Sequence, residues 1–410
     1  DFGFSFNVVC NTNNAGQGSL RQLIAQTNDL SNTGLVIQGR TAGIDHAVFM
    51  ISNGTAAAGL RVSNNSFTVG IATITPTTGL PAATAPLVLD ASTQPGFAGT
   101  PIIELNGTTT VNENGLTFWN APNSVVRGFI INRFDYCGVN ISLGSNAMVV
   151  AGNYLGTNAA GTAASANGWD GVAVAGTTTN VIICGTNAAD RNVISGNSGD
   201  GVQLEGAGVT GCRVIGNHIG TNAAGNAGIG NGFYGVYMYS GSIGNTVGGN
   251  STLNEGNVIS GNMAGIVAAG NTTVQGNRIG TNAAGTAAIA NTNEGISLEG
   301  SNSLIGGLSN GQGNLISGNG QDGILLNNAS TNTIVGNLIG TDAAGTADLG
   351  NSNDGIDLNG TCSNNTIGGS AAGARNIISG NNDSGIRLRS TAGNNSIVGN
   401  QIGTNLTGTT

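Results

Sequence analysis

The hydrophobic residues of this chain fall in short alternating runs and never in one long apolar stretch. A four-residue pattern, Gly–apolar–x–apolar, begins at Gly115, Gly138, Gly171, Gly201, Gly235, Gly265, Gly295, Gly323, Gly355 and Gly385. It returns roughly every 30 residues, and a fixed period of that size marks a solenoid. A second phrase, GNxIGT or GNYLGT, starts at Gly152, Gly216, Gly276, Gly336 and Gly399. Two of the shorter periods therefore make one block of roughly 60 residues.

One coil is legible in residues 355–384, GIDLNGTCSNNTIGGSAAGARNIISGNNDS. GIDL, TIG and NIIS alternate apolar and outward positions, and Gly or Asn separates them at corners that need left-handed backbone. Runs so short cannot bury an apolar face alone, so each must lie on its counterpart in the next coil. Three strands per coil of about 30 residues, with no helix between them, predict an all-β parallel β-helix with coils about 4.8 Å apart. Asn332, Asn365 and Asn395 occupy equivalent corners and should form a hydrogen-bonded ladder. The NAAGTA-type loops after the third strand recur on alternate coils, which places them about 10 Å apart along one edge.

The regular coils are expected over 115–410, in paired-coil repeats beginning near 152, 216, 276, 336 and 399. Residues 1–114 are expected to hold an N-terminal cap and irregular first coils. Residues 2–10 alternate as a strand, and Ser19 is a natural N-cap for a short helix whose Leu20, Leu23 and Ile24 share one face. Such a helix would cover the open first coil. AVFMI, FTVGIATI, PLVLD and PIIELNG supply further strands. The last residues stop just after a third strand with no capping segment, and an open end of that kind pairs readily with another copy.

Composition narrows the function. Only 8% of residues are charged, the net charge is −9, and all eleven basic residues are arginines. Nucleic-acid binding needs a basic footprint that is missing here. No apolar run is long enough for membrane insertion as a helix. Five cysteines are an odd number, so at least one is unpaired within the chain. Cys184 and Cys212 lie about one coil apart and suit either a disulfide or two buried thiols. Low charge, abundant Asn, Gly and Thr, and a start at Asp1 rather than Met lead to an extracellular or cell-surface location.

The alternation of loops resembles a large group of secreted right-handed β-helix repeat proteins with the pectin-lyase-like fold. GSLRQLIAQTND resembles the CSLREA-type segment that precedes such repeats, and LDASTQPGFAGTPIIELNG is similar to the same group. The resemblance implies an extracellular or surface setting and supplies no settled activity.

Two clusters could carry chemistry. The residue before each Gly–apolar–x–apolar run forms a column that includes Glu294, Asp322 and Asp354 on successive coils. Asp357 takes the outward position of its run, with Arg387 at the same position one coil later and Arg389 beyond it. Carboxylates about 5 Å apart match a retaining glycosidase pair. Stacked carboxylates would also accept Ca²⁺ at Glu294, Asp322 and Asp354; no other cofactor is expected. SNDGIDL, residues 352–358, resembles the NTDGID motif of polygalacturonases with Asp354 and Asp357 on matching positions. That family's paired Asp, its histidine motif and its Arg-x-Lys motif are missing. Asp before Gly is also ordinary turn chemistry.

The second cluster is aromatic: Trp169, Phe233, Tyr234, Tyr237 and Tyr239, with His218 one strand earlier. Outward rings suit a sugar or a protein contact, unless the long loops bury them. His46 and His218 are too few for a metal centre. The leading expectation is a non-enzymatic extracellular scaffold, self-associating end to end or bound to other surface proteins. A polysaccharide lyase or glycoside hydrolase using Glu294, Asp322, Asp354, Asp357 and Arg387 is the alternative, and a carbohydrate-binding adhesin the third.

Overall fold

The computed structural model describes residues 7–34, 39–56, 65–239, 241–389 and 391–409. Its strands form three long sheets of 13, 10 and 13 strands. A typical coil runs from Ile356–Asn359 in the ten-stranded sheet to Thr366–Gly368 in the first, then to Ile377–Ile378 in the third. The next strand, Ile386–Leu388, returns to the ten-stranded sheet, beside and parallel to Ile356–Asn359. This is the parallel β-helix expected from the period, of the right-handed class that the family resemblance implies.

The two-residue alternation decides what is inside. Ile356, Ile324 and Ile296 stack in register, as do Leu358, Leu326 and Leu298, and all six are fully buried. One continuous core runs from Val9 to Ile378. Burying a Val, Leu or Ile side chain contributes about 1.5–3 kcal/mol, and each coil presents several.

Asparagine ladders hold the corners. Asn332 donates to Asn365 (3.1 Å) and Asn365 to Asn395 (2.9 Å), as the sequence predicts. Two longer ladders accompany it. The Asn just before each third-sheet strand bonds to its counterpart in the next coil from Asn153 to Asn400. A third ladder runs from Asn167 to Asn381. Each side chain uses its carbonyl and amide at once, so buried polar corners remain satisfied.

The NAAG loops recur on alternate coils and bond directly to one another. Ala223 N–H donates to Gly161 O, Ala283 to Gly225, Ala343 to Gly285 and Leu406 to Gly345, at 2.7–2.9 Å. Gly285 shows why glycine is needed: its φ is +72°, and a Cβ there would lie 2.7 Å from the Ala343 Cβ. The loops form a second stack alongside the strands.

At the N-terminal end the helix Leu20–Asp29 is capped by Ser19, whose hydroxyl accepts the Gln22 N–H at 3.2 Å. Leu20, Leu23 and Ile24 enter the core beside Val9, as a cap should. Of the strand expected over 2–10, Val8–Val9 is observed; residues 2–6 lie outside the described residues. FTVGIATI makes an antiparallel hairpin, Phe67–Thr68 with Ile71–Ile74, because Val69 and Gly70 take positive φ. All five cysteines are free, and the Cys184–Cys212 disulfide does not form. Cys184 stands opposite Ile215, not opposite Cys212.

Candidate active site

The outward face of the ten-stranded sheet carries both clusters. Its outer positions align in register from Gln203 through Tyr237, Val267, Ser297 and Leu325 to Asp357 and Arg387. Tyr237 and Asp357 are four coils apart, about 19 Å at the interstrand spacing.

Each aspartate of the column before the runs bonds to the next coil. Asp322 Oδ1 accepts the Asp354 N–H at 3.0 Å, and Asp354 Oδ1 accepts the Ser384 N–H at 2.9 Å. Asp170 and Asp200 do the same for Asp200 N–H (2.7 Å) and Tyr234 N–H (2.9 Å). One oxygen of each carboxyl is therefore committed to the rod.

Among the described residues, Asp322, Asp354 and Asp357 bring oxygens within 4.8 Å of one another. They are 4%, 0% and 1% exposed, so solvent reaches them little. Two arginines lie over them. Arg389 Nη2 is 2.8 Å from Asp357 Oδ2 and its Nε donates to Asp357 Oδ1 at 3.1 Å. Arg387 Nη1 is 3.5 Å from Asp354 Oδ2 and 3.4 Å from Asp383 Oδ2. Burial pushes Asp322 up to about 6, reinforced by the charges of Asp357, Asp354 and Glu294 and opposed by the Asp354 N–H. Burial also raises Asp357, while Arg389 pulls it back.

Glu294 is half-buried and stays outside this group, contrary to the expected grouping of Glu294, Asp322 and Asp354. Asp357, pointing outward but covered by Arg389, takes its place. The cluster suits Ca²⁺ poorly. Backbone donors occupy one oxygen each of Asp322 and Asp354, and two guanidiniums already lie where a dication would need oxygen ligands.

The aromatic cluster is open rather than buried under loops. Trp169 is 57% exposed, Phe233 52% and Tyr239 41%. Phe233, Tyr234, Tyr237 and Tyr239 form a continuous run with ring centroids 6.5, 4.9 and 4.5 Å apart. Trp169 instead stacks on Tyr136 at 4.8 Å. His218 does not join them; it is buried on the third sheet. At the foot of the tyrosines, burial and Asp170 push Asp200 up to about 7, against the Tyr234 N–H. Arg389, to which sequence spacing assigns no role, is marked by its two contacts to Asp357.

No protein-family model matches the chain, and no curated protein matches it in sequence. Solved structures do match in shape. A variant of the periplasmic alginate epimerase AlgG superposes with a TM-score of 0.51 at 12% identity, covering 82% of this chain and 79% of that one. The A-module of the Azotobacter vinelandii mannuronan C-5 epimerase AlgE6 gives 0.44 at 15% identity, covering 96% and 97%. At such identities the likeness is one of fold. It counts against the leading expectation of a non-enzymatic scaffold, because the AlgG structure that shares the fold is, by its name, that of an epimerase.

Proposed function

We propose that the protein is an extracellular or periplasmic enzyme that cleaves polysaccharide by general acid–base chemistry on the outward face of the ten-stranded sheet. The observation that carries this reading is the convergence of Asp322, Asp354 and Asp357 within 4.8 Å beneath Arg387 and Arg389. The fold it shares with the alginate epimerase AlgG supports the substrate class.

The polymer runs along the strand stack, with sugar faces against Tyr234, Tyr237 and Tyr239 and a glycosidic bond at the acid cluster. Asp322, protonated into the mildly acidic range, gives a proton to the leaving oxygen. Asp357, held by two contacts to Arg389, attacks the anomeric carbon as the glycosidic bond breaks; water, giving its proton to the Asp322 carboxylate, then hydrolyses the glycosyl ester and frees Asp357. A carboxylate separation this short fits a retaining hydrolase, whose pair stands about 5–5.5 Å apart, better than an inverting one. Asp354 and Asp357 come within reach of substrate only as Arg387 and Arg389 swing outward onto the polymer.

The test is an assay for new reducing ends and for unsaturated products on polygalacturonate, alginate and a neutral α-glucan. Saturated products are expected, with Asp322→Asn and Asp357→Asn each slower by roughly 10²–10⁴-fold. Unsaturated products would make the enzyme a lyase. A folded protein inert on all three polymers, or variants as active as the parent, would refute the assignment.

A further inference from the structure

The third sheet has a face of its own, walled by two rows of loops. The NAAG loops form one wall, and the loops that precede the third-sheet strands form the other. Between them lies a cleft of about 440 Å³, lined among others by Arg278, Arg375, Leu308, Leu315, Leu338 and Leu406. That volume falls within the range of small-ligand sites. No Asp or Glu lines it, in a chain with 20 acidic and 11 basic residues.

Arg278 stands in the variable position of GNRIGT, in register with Leu315, which in turn pairs with Leu338. It is half-buried, and its guanidinium makes no hydrogen bond or ion pair with any described residue. Arg127, Arg133, Arg213, Arg387 and Arg389 each pair with a carboxylate. Arg375 makes a single bond, Nε to Gly399 O at 3.3 Å. Burial alone disfavours the Arg278 charge, and no acid offsets it. A partly desolvated cation without a partner costs free energy that an incoming anion would return.

We propose that this cleft binds a small organic carboxylate. The carboxylate lies on the planar fork of Arg278, which suits a bidentate acceptor; Arg375, just before Ile377 three strands farther along the sheet, adds its charge at the far end of the cleft. Its carbon skeleton lies on Leu308, Leu315 and Leu338, an apolar floor that a wholly polar ion such as phosphate would leave uncovered. The site is on a different sheet from the acid cluster and does not depend on the catalytic reading.

Calorimetric titration of the full chain with galacturonate and with benzoate, against glucose and benzyl alcohol at equal ionic strength, tests it. One or both carboxylates should bind at a single site and the neutral partners should not. Galacturonate binding would mark a sugar acid as the ligand, benzoate binding an apolar acid. Arg278→Met should weaken binding by roughly tenfold or more, as loss of a charge-assisted hydrogen bond does, and Arg375→Gln by less. Asp354→Asn should leave binding unchanged, which separates this site from the catalytic one. Because the Arg278 charge is unpaired, Arg278→Met should keep or raise the melting temperature. Failure of both carboxylates to bind the folded parent, undiminished binding in Arg278→Met, or a marked fall in its melting temperature would each overturn the proposal.

Discussion

Asp200 offers a direct test of the electrostatics beneath the tyrosine run. Its carboxyl is 5% exposed and spends one oxygen on the Tyr234 N–H. Burial, aided by the charge of Asp170, raises it from 3.8 to about 7. At 1.36 kcal/mol per tenfold change in proton affinity, that rise corresponds to roughly 4 kcal/mol; residual solvent contact and the coupling to Asp170 reduce the expectation to about 2 kcal/mol. The folded protein holds this proton more tightly than the unfolded chain. Stability from this group is therefore greatest below about pH 4, falls as pH rises from 4 to 7, and is flat above 7. Asp200→Asn keeps an oxygen for the Tyr234 N–H and has no charge to bury. Urea unfolding at pH 4 and pH 8 should show parent and variant alike at pH 4 and the variant more stable by about 2 kcal/mol at pH 8. A difference that is absent at pH 8, or equal at both pH values, would falsify the claim that the cost of ionisation dominates here.

Three further outcomes are expected. Gly285→Ala forces a Cβ to 2.7 Å from that of Ala343 at a φ of +72°; it should cost about 1–3 kcal/mol, read as a lower melting temperature. Asn277→Ala removes the acceptor of the Asn257 N–H (3.0 Å) and the donor to Val247 O (2.9 Å). About 2–4 kcal/mol should be lost, with hydrogen-exchange protection falling first in the flanking coils. Tyr237→Ala and Tyr239→Ala should each weaken retention in polysaccharide affinity gels several-fold, from about 0.5–1.5 kcal/mol per stacked ring; unchanged retention would mean that the polymer runs elsewhere.

The sequence disclosed the coil because strand stacking is written twice over, in the apolar alternation of runs such as GIDL and in the recurrence of Asn at fixed corners. It disclosed less of the site. Asp354 and Asp357 were visible as a column and an outward position. That Asp354 spends one oxygen on Ser384, and that Arg389 closes over Asp357, depends on side-chain directions that spacing does not carry. Glu294 shares the column with Asp322 and Asp354 yet stays outside the cluster, since a shared column fixes the backbone position and not the reach of the side chain. Arg278 left a fainter mark: it fills the single variable place in GNxIGT, where Tyr154, His218, Leu338 and Gln401 stand in the other blocks. That variability was the available sign that the position faces something other than the core.

The touching NAAG loops have a consequence for how such a rod can change length. Strands meet their neighbours every coil, whereas loops meet theirs every second coil, so the molecule contains two stacks whose pitches stand in a ratio of one to two. Losing a single coil would leave isoleucine on isoleucine and asparagine on asparagine, but it would set Gly225 against a corner with no Ala283 to meet it. Losing residues 276–335 as a whole would restore both stacks. Growth and shortening of the chain are therefore quantised in pairs of coils, and a duplication that respects only the strands would leave a seam in the loop wall where the next contact fails.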